Sequence, residues 1–191
     1  MEHEVHPWEP FLPEGCRLLM LGSFPPARKR WAMDFFYPNF TNDMWRIFGI
    51  CFHSDKQYFV DEAQKTFLLE RIIPFLHKQR IGLYDTARVV CRLKNTASDK
   101  DLEVVEPTDL DALLHQIPAC QAVVTTGQKA TDVFCAHFQI EQPSMGTSVP
   151  FCFEGRKMRL YRMPSSSRAY PMRVERKAEI YRLMFNEITI L

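Results

Sequence analysis

The sequence predicts an α/β protein, a three-layer α/β/α sandwich with a central, mainly parallel four-stranded sheet. Three observations lead there. Four apolar runs are too short for buried helices, segments of helical spacing separate them, and 191 residues suffice for one buried core but not for two. A single domain over residues 1–191 is therefore expected. With 46% hydrophobic and 25% charged residues, the composition is that of a chain that folds alone.

The first run, Arg17 to Leu21, lies between Gly15 and Gly22 and reads as a buried central strand. Ile81 to Tyr84, ending at Asp85, has the same form, as does Ala122 to Val124, which runs on through Thr126 to Gly127. Lys157 to Met163, stopped by Pro164, is the fourth, and the turn at Glu154-Gly155 pairs it with Val149 to Phe153.

Helical spacing falls between these runs. Met44, Ile47, Phe48 and Cys51 share one face, as do Phe67, Leu68, Ile72 and Phe75, and Asp109 to Ile117 and Lys129 to Phe138 repeat the pattern. A last helix over about Met172 to Phe185 offers Val174, Ile180, Leu183 and Met184 to the core and turns its basic residues outward. Ser98 to Pro107 is the expected long loop. Strands alternating with helices make a mainly parallel sheet covered on both faces.

Ligands bind such sheets beyond the carboxyl ends of the strands, which gathers the loops after Leu21, Tyr84, Val124 and Met163 around one mouth. The first loop reads Gly22-Ser23-Phe24-Pro25-Pro26, then Arg28-Lys29-Arg30, then Phe35 to Trp45. Gly22 permits a sharp turn or a close backbone approach, the prolines stiffen the loop, and the aromatic rings offer stacking faces. Asn42 or Asp43 can cap the helix starting near Met44, and spacing favours Asp43 for that task. The last loop, Met163 to Pro171, sets Ser165, Ser166, Ser167 and Arg168 before a helix, which suits either phosphate contacts or simple capping.

Charge and cysteine use narrow the function classes. Net charge is +1, yet Arg156 to Arg182 holds nine Lys/Arg against two Glu, while Ser98 to Leu113 holds six Asp/Glu against one Lys. One side of the molecule therefore attracts a polyanion, although a solvated, salt-bridged surface gives the same pattern. No apolar run approaches the roughly 20 residues of a membrane span, and Met1 to Trp8 is acidic and polar, so a soluble, cytoplasmic protein is expected. The six cysteines contain no Cys-x-x-Cys pair, and neither a metal nor a cofactor is expected.

Taken together, Gly22 to Pro26, Tyr37 to Trp45 and Met163 to Ser167 resemble the loops of the uracil-DNA glycosylase superfamily. The likeness is greatest to its mismatch-specific and hypoxanthine-DNA glycosylase branches and runs from Arg17 to about Leu183. Ile81 to Asp85, Cys91-Arg92, Ser98-x-x-Asp101 and Val123 to Ala130 are similar to the middle of the hypoxanthine branch.

That resemblance implies a monomeric, monofunctional glycosylase that flips a damaged base from single- or double-stranded DNA and hydrolyses its N-glycosidic bond in base excision repair. It implies Asn42 as the first catalytic residue, with Asp43 and Asp85 as candidate bases and Asp34 a further nearby carboxylate. Tyr37, or alternatively Phe36, would stack on the base, in a pocket shared with Gly22, Ser23, Phe24 and Pro25. Lys29, Arg30, Ser165, Ser166, Ser167, Arg168, Tyr170 and Arg173 would hold the DNA.

Two positions depart from the superfamily pattern. Phe24 stands where the mismatch-specific branch has a water-positioning Asn, and Met163 stands where many members have a His that polarises the base. A DNA-binding protein with this fold and no catalysis is therefore the alternative. A serine hydrolase built on Ser165 to Ser167 lacks the Gly-x-Ser-x-Gly elbow and any later His.

Overall fold

A computed structural model describes residues 3–93 and 101–189. Its main sheet has five strands rather than four. β2 (Leu18–Gly22), β5 (Ile81–Asp85), β8 (Ala122–Thr126) and β10 (Arg156–Met163) run parallel. β9 (Ser148–Phe153) adds an antiparallel edge, giving the order β5-β2-β8-β10-β9. The tight turn at Glu154 and Gly155, both at positive φ, folds β9 back on β10 as the sequence suggests.

Every residue of β2, β5 and β8 is buried, which requires cover on both faces of the sheet. The cover comes from α1 (Met44–His53), α2 (Leu69–Gln79), α3 (Leu110–His115), α4 (Gln128–Phe138) and α5 (Val174–Glu187). α2 packs on β5, α4 on β8 and α5 on β10, while α1 lies against α5. None of these helices is long and apolar enough to cross a membrane.

Phe67 and Leu68 precede α2 rather than belonging to it. Phe67 sits in a small hairpin, β3 (Val60–Asp61) with β4 (Thr66–Phe67). A second antiparallel sheet, in the order β1-β6-β7, joins β1 (His3–Val5), β6 (Ala87–Arg92) and β7 (Leu102–Pro107). β7 therefore replaces most of the loop expected over Ser98 to Pro107, of which residues 98–100 lie outside the described residues. It pairs with β6 while Leu102 turns inward against Phe24, Ala87 and Val90.

The N-terminal segment continues past β1 along the sheet. His6 N–H donates to the Arg88 carbonyl, and Phe11 exchanges both backbone hydrogen bonds with Leu83. The segment thus covers the open edge of β5, where unpaired backbone groups would otherwise face water.

Of the core residues expected from α5, Met184 is buried and Val174 and Ile180 pack half-buried against the core, and Leu183 alone departs. Lys177, Ala178, Tyr181, Met184 and Phe185 are buried at the spacing of one helix face, whereas Leu183 is 71% exposed. A lysine enters the core stripe because Asp43 waits for it there, 3.0 Å away. Leu183→Gln is accordingly expected to change stability by no more than about 0.5 kcal/mol, whereas Met184→Ala loses about 2–5 kcal/mol. Urea unfolding of the two variants measures both, and equal losses would refute this placement of Leu183 and Met184.

Candidate active site

The carboxyl ends of β2, β5 and β8 and the loop after β10 meet at an open cavity of about 750 Å³. Its walls include Gly22 to Pro26 after β2, Phe36 to Asn39 with Asn42, Asp85 at the end of β5, Thr126 to Lys129 after β8, and Ser165 to Ser167 with Tyr170. The mouth therefore forms where the strand directions place it.

Gly22 is the tightest point of that wall. A methyl group there would collide with Asp85 Oδ1 and come within 3.8 Å of Thr126 Oγ1. The bare backbone lets a carboxylate from the neighbouring strand lie across the end of β2. Asp85 is buried yet still lines the cavity. Its other oxygen, Oδ2, accepts a 2.8 Å hydrogen bond from His6 Nε2.

His6 is itself walled in by rings. Tyr84 lies 4.6 Å away, Phe24 5.4 Å, Trp8 5.9 Å and Phe36 6.1 Å between centroids. With the Nε2 proton directed at Asp85, Nδ1 of the neutral ring accepts from Trp8 N–H at 3.2 Å, and the charged ring would donate to the Trp8 carbonyl at 2.8 Å.

Phe36 and Tyr37 are held against α1, since Trp45 Nε1 donates to the Phe36 carbonyl. Tyr37 adopts φ 53°, a left-handed setting that an aromatic residue rarely takes, directly before Pro38. Strain of this kind persists only where the surroundings impose it. The Tyr37 hydroxyl lies 3.4 Å from Thr126 Oγ1. Burial, reinforced by the Asp85 charge and opposed by that hydrogen bond, pushes the phenol well above the usual tyrosine range, so Tyr37 stays neutral at physiological pH.

Asn42, not Asp43, caps α1 through its side chain. Asn42 Oδ1 accepts the Met44 N–H at 2.9 Å, and because a backbone N–H can bond only to the oxygen, the amide orientation is settled. Nδ2 is left as a donor at the cavity wall, with no partner among the described residues.

Asp43 lies behind that wall. Its carboxylate meets Lys177 Nζ at 3.0 Å and Arg168 Nε at 3.2 Å, and its N–H donates to the Ser166 carbonyl at 2.9 Å. Lys177 also donates to the Ser167 carbonyl at 2.8 Å. Asp43 therefore ties the last loop to α1 and α5 and is not brought into the cavity. Asp34 is drawn away too, accepting from Trp8 Nε1 at 2.9 Å.

Of the remaining predicted residues, Gly22, Ser23, Phe24, Pro25, Ser165, Ser166, Ser167 and Tyr170 line the cavity. Ser165 and Ser167 accept backbone N–H bonds from residues two further on, and Ser166 is buried, so these hydroxyls shape the loop. Lys29 and Arg30 are exposed on a short 3₁₀ turn, Arg28–Arg30, that follows the first wall segment. Arg173 is exposed at the start of α5, and the Arg168 side chain remains about half exposed beside Asp43.

Phe24 packs under the Arg92 guanidinium and against His6, as part of the apolar wall. Met163 is buried and does not line the cavity. His6, Trp8, Arg92, Thr126 and Lys129 are site residues that sequence reading did not single out. Val5-His6-Pro7-Trp8 carried no periodic signal.

Fold and site define a layered α/β/α protein with a ring-lined cavity at its parallel-strand mouth and one histidine-paired carboxylate inside. Among solved structures the chain is similar to the solution NMR structure of a "putative Uracil DNA glycosylase" from Methanosarcina acetivorans. The TM-score is 0.61 at 21% sequence identity, covering 95% of this chain and 96% of that one. The two share a fold over nearly their whole lengths. No family model matches the chain, and no curated protein does.

Proposed function

We propose that this protein is a monofunctional DNA glycosylase that removes a deaminated base, hypoxanthine or uracil, in base excision repair. The observation that carries this reading is the convergence of Asp85, Asn42, Phe36 and Tyr37 on one cavity, whose volume lies in the ~300–1,000 Å³ range of ligand pockets.

In this reading a base turned out of the stack lies against Tyr37 and Phe36. Asn42 Nδ2 donates to a carbonyl oxygen of that base. A donor fixed in this way favours keto bases over adenine or cytosine, whose amino groups at the same position would face it donor to donor. When the N-glycosidic bond breaks, its electron pair leaves with the base and positive charge develops at C1′. The Asp85 carboxylate stabilises that charge and accepts one proton of the water that adds to C1′; the departed base anion then takes up a proton as Asp85 releases its own, leaving an abasic sugar, the free base and an ionised Asp85.

The water-positioning polar group that the first loop lacks at Phe24 is, in this reading, supplied by Asp85 on the neighbouring strand. This supports an enzyme over a DNA-binding protein without catalysis. Lys29, Arg30, Arg168 and Arg173 provide cations for the phosphates, with Ser165 to Ser167 and Tyr170 beside the opening.

The test is a release assay on single- and double-stranded oligonucleotides carrying hypoxanthine, uracil or xanthine, with Asn42→Ala and Tyr37→Ala beside the wild type. Wild-type release is expected on at least one keto base, reduced by roughly 10²-fold or more in Asn42→Ala. DNA binding without release of any base would refute the enzyme reading. Undiminished release by both variants would refute the site.

A further inference from the structure

We propose that His6 is a positioning residue of the active site, orienting the Asp85 carboxylate through its Nε2–H. The inference rests on the glycosylase reading and deepens it, since it makes the N-terminal segment part of the catalytic apparatus.

Three observations carry it. The His6 side chain is 1% exposed, and among the described residues its ring nitrogens meet only Asp85 and the Trp8 backbone. The hydrogen bond joins residues 79 apart in sequence, across the boundary between the two sheets. The oxygen it engages is Oδ2, which leaves Oδ1 lying over the Gly22 backbone at the cavity wall.

A carboxylate at a strand end can rotate about its side-chain bonds. Without a fixed donor, Oδ1 would not stay over Gly22. The ring is fixed in turn by Trp8 on one side and by the Tyr84, Phe24 and Phe36 rings around it. β1 pairing with β6 and the His6 N–H bond to Arg88 hold the backbone that carries it. The arrangement resembles a histidine held by a carboxylate with the roles exchanged: here the carboxylate does the chemistry and the imidazole orients it.

Two substitutions of like chemistry and different reach provide the test. Glutamine can bring an amide N–H to the place of Nε2, whereas asparagine reaches only as far as Nδ1. His6→Gln is expected to keep most of the single-turnover excision rate on the lesion the wild type removes best. His6→Asn is expected to lose roughly 10²-fold in kcat, the scale of a misplaced reacting group, with KM unchanged. Melting temperatures of both variants are measured alongside.

Equal rates for the two variants, a loss that appears in KM alone, or a folded His6→Gln protein without activity would each overturn the proposal. If His6→Asn does not fold, the His6→Gln rate decides by itself. A wild-type protein that releases no base from any substrate overturns the glycosylase reading and this role with it, whereas active wild type with indistinguishable variants overturns only the role of His6.

Discussion

Asp85→Asn is expected to lower the single-turnover excision rate by roughly 10²- to 10⁴-fold while leaving affinity for lesion-containing DNA unchanged. The substitution is close to isosteric, and the amide oxygen can still accept from His6 Nε2–H, so the packing around Gly22 survives. What disappears is the negative charge. The sugar cation forming at C1′ then has no carboxylate facing it, and the attacking water has no acceptor for its proton. A group that acts only as the transition state forms shows its loss in kcat rather than in binding. Single-turnover rates and a fluorescence binding titration on the same duplex separate the two quantities. Excision within about tenfold of wild type would remove Asp85 from the chemistry.

Asp43→Ala is expected to destabilise the fold by about 3–5 kcal/mol. Lys177 Nζ, on a residue with 0% exposure, would lose its only carboxylate partner among the described residues and keep the Ser167 carbonyl and the face of the Tyr170 ring, 5.9 Å away. A buried ammonium without a counter-charge is among the few single changes with an effect of this size. The half-exposed Arg168 contributes little, because solvent screens its share of the interaction. At this chain length each kcal/mol shifts the melting temperature by roughly 2–4 °C, so the loss is plain in a thermal scan. The double variant Asp43→Asn with Lys177→Met removes both charges together and is expected to recover most of the stability. A single-variant loss under about 1 kcal/mol would show that the pair is not what holds the last loop to α1 and α5.

The strands that build the mouth were legible because their signal is local. Leu18 to Leu21 and Ile81 to Tyr84 carry no charge and are buried at every position, as strands covered on both faces must be, and each ends in a residue that breaks the run. The aromatic stretch from Phe35 to Tyr37 was equally visible. β7 was not, because its alternation of Leu102 and Val104 with acidic neighbours becomes a strand only against β6. The antiparallel β9 was seen as the partner of β10 and undercounted as a member of the sheet.

The lining of the cavity was legible in outline, but the placement of its polar neighbours was not. Asn42 and Asp43 are adjacent and both are able to cap a helix, and spacing favoured Asp43. The structure gives the cap to Asn42 and the buried ion pair to Asp43. Leu183 looked like core and Lys177 like surface, since hydrophobicity is the strongest guide to helix orientation when no partner is known. The Asp43 carboxylate holds Lys177 inward instead, and the Tyr181 hydroxyl, which donates to the Pro164 carbonyl at 2.9 Å, anchors the same face.

By itself, then, the sequence determined the layered α/β architecture, the strand ends that form the mouth, and the rings that line it, because apolar runs, periodicity and turn residues act between neighbours along the chain. Only the tertiary structure decided which carboxylate enters the cavity, that His6 stands behind it, and that Lys177 is buried. Each of those outcomes depends on two groups far apart in sequence being brought within hydrogen-bonding distance, and no local pattern records the free energy of a contact whose partner lies 79 or 134 residues away.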